Sequence, residues 1–163
     1  MQTQLKKYGV RNSHHNTIAP AGTISLLANN VSNGIEPIFQ ASYTRHVRIG
    51  AHEQEIYHVH DYAYDLWRQQ NKEAMPSAWI DANTLTPDEH LQMQAAMQVY
   101  VDNAISKTIN LPIDFPYEQV ADVYTKAHAL GLKGCTIYRP NEVRGKVLEA
   151  TNTCDDEDGC TGC

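Results

Sequence analysis
Apolar and polar positions change period several times along this 163-residue chain, and each change marks an element. The opening, residues 1–11, is polar without a clear period and reads as a linker or broken edge. Asn16 to Leu27 then reads as a short strand, a Pro20–Gly22 turn and a helix start. Residues 36–48 are rich in β-formers, with Ile38, Phe39, Tyr43 and Val47, followed by Ile49, and predict extended chain. From Glu53 to Gln70, apolar side chains fall at Ile56, Val59, Ala63, Leu66 and Trp67, steps of three and four that predict one helix. A second helix is predicted over 86–101. Thr86, Pro87 and Glu89 spell a capping box at its start, and Leu91, Ala95 and Val99, with Met97 alongside, form its inner face.

The next stretch switches period again. Ala104 to Leu111 reads as a strand stopped by Pro112. Pro116 opens a helix that turns Val120, Val123, Tyr124, Ala127 and Leu130 inward and stops at Gly131. Lys133 to Arg139 is a last strand, closed by Pro140. Strand, helix and strand at this spacing make a parallel α/β unit. The strands are too few to close a barrel alone, so the fold class is α/β with strands that complete a larger sheet.

Composition changes this picture little. A 42% hydrophobic content is that of a globular chain, and the net charge of −6 owes much to the C-terminal acidic run. Lys and Arg are scattered, so no nucleic-acid partner is expected. There is no apolar run of about 18 residues, so no membrane partner is expected either. Residues 1–7 lack the apolar core of a signal peptide, and a reducing, cytoplasmic setting is the expectation. In that setting clustered cysteines point to catalysis or metal binding rather than structural disulfides.

Three of the four cysteines lie in the last ten residues, at 154, 160 and 163, among Asp155, Asp156, Glu157 and Asp158. Such a segment has too little apolar surface to offset its ordering entropy and is expected to stay mobile. Cys160 and Cys163 have the spacing of a dithiol–disulfide pair. A closed zinc site needs four ligands and the tail offers three, which disfavours metal. The neighbouring carboxylates disfavour thiolate, which suits a dithiol kept reduced for delivery. Cys135, in an apolar strand, reads as a small buried hydrophobe.

Elsewhere the chemistry is sparser. The turn from Ala19 through Pro20, Ala21, Gly22, Thr23 and Ile24 to Ser25 exposes backbone N–H groups at a helix start, with Thr23 and Ser25 hydroxyls beside them. That is an anion cradle suited to phosphate, or an ordinary helix start. Glu36 reads as a buried carboxylate near this turn or as a turn residue; Tyr138 and Arg139 end the last strand, where α/β sheets face their ligands. His58 and His60, two apart on the predicted helix, face different ways and are read as solvated or structural, and no residue is assigned to a metal.

In order along the chain, Ile18–Ser25, Ser32–Pro37, Ala104–Pro112, Gly131–Arg139 and the cysteine tail together resemble the C-terminal part of adenosylcobalamin-dependent (class II) ribonucleotide reductase. The resemblance covers roughly residues 12–163. It implies a ten-stranded α/β barrel of which this chain supplies closing strands over 12–149, with a flexible redox tail over 150–163 and an edge or linker over 1–11. It implies that Ala19 to Ser25 hold substrate phosphate, although Ala21 stands where the family pattern has Thr, leaving backbone N–H groups there. Glu36 and Tyr138 would line the active site. Cys160 and Cys163 would re-reduce an active-site disulfide, with Cys154 as an auxiliary thiol candidate.

The implied cofactor is adenosylcobalamin, held mainly by the missing portion. The implied partners are a large reductase subunit, a ribonucleotide substrate and a thioredoxin- or glutaredoxin-type reductant. The family's radical-cysteine loop has no counterpart here, so the chain is expected to be inactive alone, as a fragment or as a split small subunit; Met1 permits the second. Two other readings stay open: a non-catalytic module that regulates a complete reductase, and a metal-binding tail protein.

Overall fold
A computed structural model describes residues 2–50, 53–70 and 75–140, and the backbone of 148–150. It contains helices α1 (Gln2–Tyr8), α2 (Gly22–Leu27), α3 (Tyr62–Gln70), α4 (Pro87–Gln98) and α5 (Val120–Ala129). Its strands are β1 (Ser42–Arg48), β2 (Gln54–His60), β3 (Thr108–Asn110), β4 (Thr136–Tyr138) and β5 (Leu148–Ala150). The expected polar edge at the N-terminus is helical in α1, and all its side chains are exposed.

The parallel unit forms as its sequence dictates. β3 and β4 pair in parallel with Ile109 opposite Ile137, and α5 crosses between them. Ile18 bridges Ile105 in parallel on the other side of the same chain segment. Leu91, Ile109, Leu111, Val123 and Ala127 make the core, with Phe115, Val120, Leu132, Cys135 and Ile137 packed on it. Gly131 adopts φ +75, and Gly131 and Leu132 donate to the carbonyls of His128 and Ala127, the Schellman stop the sequence signals. Tyr124 and Leu130, expected inside, are about half exposed because α5 covers the sheet only along Val123 and Ala127.

Helix α4 opens on the predicted capping box: Glu89 N donates to Thr86 Oγ1, and Thr86 N donates to Glu89 Oε2 at 2.7 Å. The bonds donated to Oε2 by Thr86 N and by the Thr86 hydroxyl hold the Glu89 carboxyl below the usual range. Its inner face differs from expectation. His90, Leu91, Gln94 and Gln98 are buried, while Val99 is 77% exposed. The reason lies in what the helix meets. Gln94 Nε2 donates to the carbonyls of Gly134 and Ile105, and Gln98 Nε2 to those of Val101 and Asn103. These carbonyls lie outside the regular ladder and need donors, which an apolar face could not supply.

Residues 53–70 are not one helix. Residues 54–60 form β2, antiparallel to β1 with Ser42 opposite His60 and Arg48 opposite Gln54. Asp61 then starts α3, its Oδ1 accepting from Ala63 N and Tyr64 N. Residues 36–41, expected to be extended, precede the strand instead. The second sheet runs β2–β1–β5. Asn30, in the left-handed region at φ 58, ties it to α2: its Nδ2 donates to His60 O and its Oδ1 accepts from Tyr43 Oη.

Among the described residues, more large apolar side chains are exposed than buried; Ile24, Leu27, Ile56, Ile113, Tyr117 and Val99 are all at least 60% exposed. Such a surface is that of an incomplete fold. No helix of the described residues is long and apolar enough to cross a membrane.

Candidate functional site
The candidate anion turn is built on backbone. Ala21 precedes α2 at φ 55, ψ 21, a left-handed conformation that costs an L-residue on the order of 1 kcal/mol. No side chain caps the helix. The N–H groups of Gly22, Thr23 and Ile24 therefore precede any intrahelical partner. Thr23 is exposed beside them, whereas Ser25 is buried and its hydroxyl donates to Val31 O. A hydroxyl has one proton, so Ser25 fixes the end of the turn and Thr23 carries the free hydroxyl.

A second segment packs under the turn. Asn33 Nδ2 donates to Pro20 O at 2.8 Å. Gly34 lies at φ +59, and a Cβ there would stand 2.9 Å from Ala19 O. Ser106 N donates to Ile18 O at 3.0 Å, fixing the turn's other end to the segment that leads into β3.

Glu36, two residues on from Gly34, is engaged rather than free. Its Oε2 lies 2.8 Å from Lys107 Nζ, and its Oε1 accepts from Thr108 N at 2.5 Å. Lys107 is 2% exposed, and its ammonium also reaches His90 Nδ1 at 3.0 Å and Thr108 O at 3.3 Å. Burial, and then the Lys107 charge, push the His90 imidazole below its ordinary 6.5. Nδ1 accepts from the ammonium, which places the ring proton on Nε2. Lys107 and His90 were missed in the sequence, where both sit inside patterns read as plain strand and helix; a lysine between apolar strand positions was the available signal.

Tyr138 ends β4, about half exposed, and Arg139 Nε donates to Ile113 O. An apolar groove of about 570 Å³ lies beside them, lined by Leu111, Ile113, Tyr117, Val120 and Ile137. Cys135 is half-buried against the core, and burial pushes its thiol up. Cys154, Cys160 and Cys163 lie outside the described residues. His58 and His60 share one face of β2, because they lie two apart on a strand rather than a helix. His60 Nδ1 pairs with Asp65 at 2.9 Å, and no group of three metal-ligating side chains occurs among the described residues.

Residues 1–138 match the family model for the ribonucleotide reductase barrel domain. The chain is similar to the vitamin B12-dependent ribonucleoside-diphosphate reductase of Thermoplasma acidophilum, 34% identical over 168 residues, 91% of this chain and 22% of that protein. It is similar to the protein of the same name from Mycobacterium tuberculosis, 31% identical over 159 residues, 86% of this chain and 23% of that one. Among solved structures it resembles a B12-dependent (class II) ribonucleotide reductase with TM-score 0.61 at 18% identity, covering 93% of this chain and 23% of that one. It also resembles the alpha subunit of the class Id ribonucleotide reductase of Actinobacillus ureae, with TM-score 0.60 at 20% identity, covering 84% of this chain and 28% of that one. The chain thus spans less than a quarter of the curated relatives named here.

Proposed function
Because this chain belongs to the ribonucleotide reductase family as a segment of its barrel domain, we propose that it is the C-terminal component of a vitamin B12-dependent ribonucleoside-diphosphate reductase. The observation that carries this reading is the parallel arrangement of Ile18, β3 and β4, unpaired at both outer edges among the described residues, in a chain whose match runs over residues 1–138. Open parallel edges and exposed apolar side chains call for more strands, which the rest of a reductase would supply as the same polypeptide or as a large subunit. Alone, the chain lacks the radical-cysteine loop and would be inactive.

The turn from Ala19 to Ser25 would receive the substrate's phosphates. Backbone N–H groups of Gly22, Thr23 and Ile24 and the Thr23 hydroxyl would donate; Ala19, Pro20, Ala21 and Ser25 would shape the turn. The diphosphate form is favoured by the likeness to the ribonucleoside-diphosphate reductases of Thermoplasma acidophilum and Mycobacterium tuberculosis. Tyr138, at the carboxyl end of β4, would line the active site, and Glu36 would hold the turn's surroundings rather than move protons, since both its oxygens are bonded.

Reduction of the ribose draws two electrons from a dithiol and leaves a disulfide. Cys160 and Cys163 would reverse this: one thiolate attacks that disulfide, the second resolves the mixed disulfide, and the pair ends oxidised while the active site regains two thiols. A thioredoxin- or glutaredoxin-type dithiol would then reduce the tail. The corrin would rest mainly on the remainder of the reductase.

The test is to combine this chain with the rest of the reductase and measure deoxyribonucleotide formation. Activity should need both parts. Thr23→Glu adds a charge that the start of a helix tolerates but a phosphate repels, so it should raise KM for the diphosphate at least tenfold, about 1.4 kcal/mol. Unchanged KM would remove the phosphate role, and no activity in any combination would remove the reading as a whole.

A further inference from the structure
We propose that Asn110 is a substrate-binding residue, its amide holding the uncharged nucleoside part of a ribonucleotide beside Tyr138. This rests on the reading of the chain as part of a ribonucleotide reductase and is independent of where the phosphates lie. The observation behind it is the two-faced character of β3 and β4.

Parallel strands covered on both faces read as near-continuous apolar runs. These two do not. Ile109 and Ile137, opposite one another, turn into the core with Leu111, and Lys107 is buried on the same side against Glu36 and His90. Alternation then puts Thr108 and Asn110 of β3, with Thr136 and Tyr138 of β4, on the opposite face. All four are polar, and the register sets Thr108 beside Thr136 and Asn110 beside Tyr138. Among the described residues no hydrogen bond reaches any of these four side chains.

Asn110 is the most telling of them. Asparagine is depleted in strands, because its short amide competes with the backbone. Here it stands in the last paired row, at the carboxyl end of two parallel strands, where open α/β sheets meet their ligands. It is partly buried, and an amide taken from water without partners is costly. Its carbonyl and amino groups present acceptor and donor together, next to a phenol hydroxyl.

Charge decides which part of a nucleotide fits. The row itself carries none. The flanking cations are engaged elsewhere, Lys107 with Glu36 and His90, and Arg139 through its Nε on Ile113 O. A phosphate would find no counter-charge in this row, whereas sugar hydroxyls or a base edge find matching donors and acceptors.

The test uses the complete reductase containing this chain. Asn110→Ala should raise KM for a ribonucleoside diphosphate about tenfold and leave kcat within about twofold. Inhibition by the unphosphorylated ribonucleoside should weaken by the same factor. The thermal midpoint should not move, because the amide makes no hydrogen bond among the described residues. Asn110→Asp keeps the shape without the amide donor and is read in the same way if the alanine variant fails to fold. A rise shared by all four bases assigns the amide to the ribose, and a rise confined to some bases assigns it to the base edge. Unchanged KM and nucleoside inhibition in an active enzyme overturn the inference and leave the reductase reading standing. A thermal midpoint that falls along with affinity marks a structural role and also overturns it. If the chain yields no deoxyribonucleotide with the rest of the reductase, that reading falls and this inference with it.

Discussion
The ammonium of Lys107 lies 3.0 Å from Nδ1 of His90, with both side chains buried. One cation is thus shared among a carboxylate, an imidazole and the Thr108 carbonyl, and three segments distant in sequence meet at it. Within a small core such a group is stabilising only while its partners remain.

Removing both partners should therefore cost less than the two single losses added together. Lys107→Met leaves the Glu36 carboxylate with Thr108 N alone, and Glu36→Leu leaves a buried ammonium with neutral acceptors. Each single change should lower stability by about 3 kcal/mol, measured by urea unfolding. The double variant should lose less than the sum, and strict additivity would show that the pair is not coupled.

The depressed His90 titration fixes the sign of a pH effect. The folded imidazole stays neutral below 6.5, where the unfolded one takes up a proton. Its contribution to stability is complete above about pH 6.5 and is lost as pH falls toward the lower folded value. Urea midpoints should drop across that window. His90→Asn offers an acceptor without titrating and should flatten the slope; an unaltered slope would place the titration on another group.

Gln94 should act as a substitute for missing backbone pairing. Gln94→Leu removes the donor to Gly134 O at 2.6 Å and Ile105 O at 3.4 Å, in a site with no exposure. The expected loss is about 1–3 kcal/mol. A neutral or stabilising result would mean that the carbonyls find other donors.

The tail makes a prediction about electron delivery. Cys160→Ser and Cys163→Ser should abolish turnover driven by thioredoxin in the complete reductase, while a small dithiol that enters the active site directly restores it. Full thioredoxin-driven activity in both variants would free the tail from this role.

Local signals carried those parts of the fold that local energetics decide. The capping box at Thr86 and Glu89 and the glycine stop at Gly131 depend on bonds within a few residues, and both stand where the sequence puts them. The parallel β3–α5–β4 unit follows from period and length alone. The spacing from Ile56 to Trp67 misled, because five apolar positions satisfy a helical period while also fitting a strand and a helix joined at Asp61. A cap residue inside a presumed helix was the legible warning.

The chain by itself determined the Pro20–Gly22 turn before α2, the α/β unit and the acidic, cysteine-bearing composition of the last ten residues, since each is encoded in contiguous residues. Only the tertiary structure decided that α4 turns His90, Gln94 and Gln98 inward, and that Glu36 meets Lys107 across 71 residues. Polar burial depends on which unpaired carbonyls and charges lie opposite, and those partners are brought there by the fold, not by neighbours in sequence.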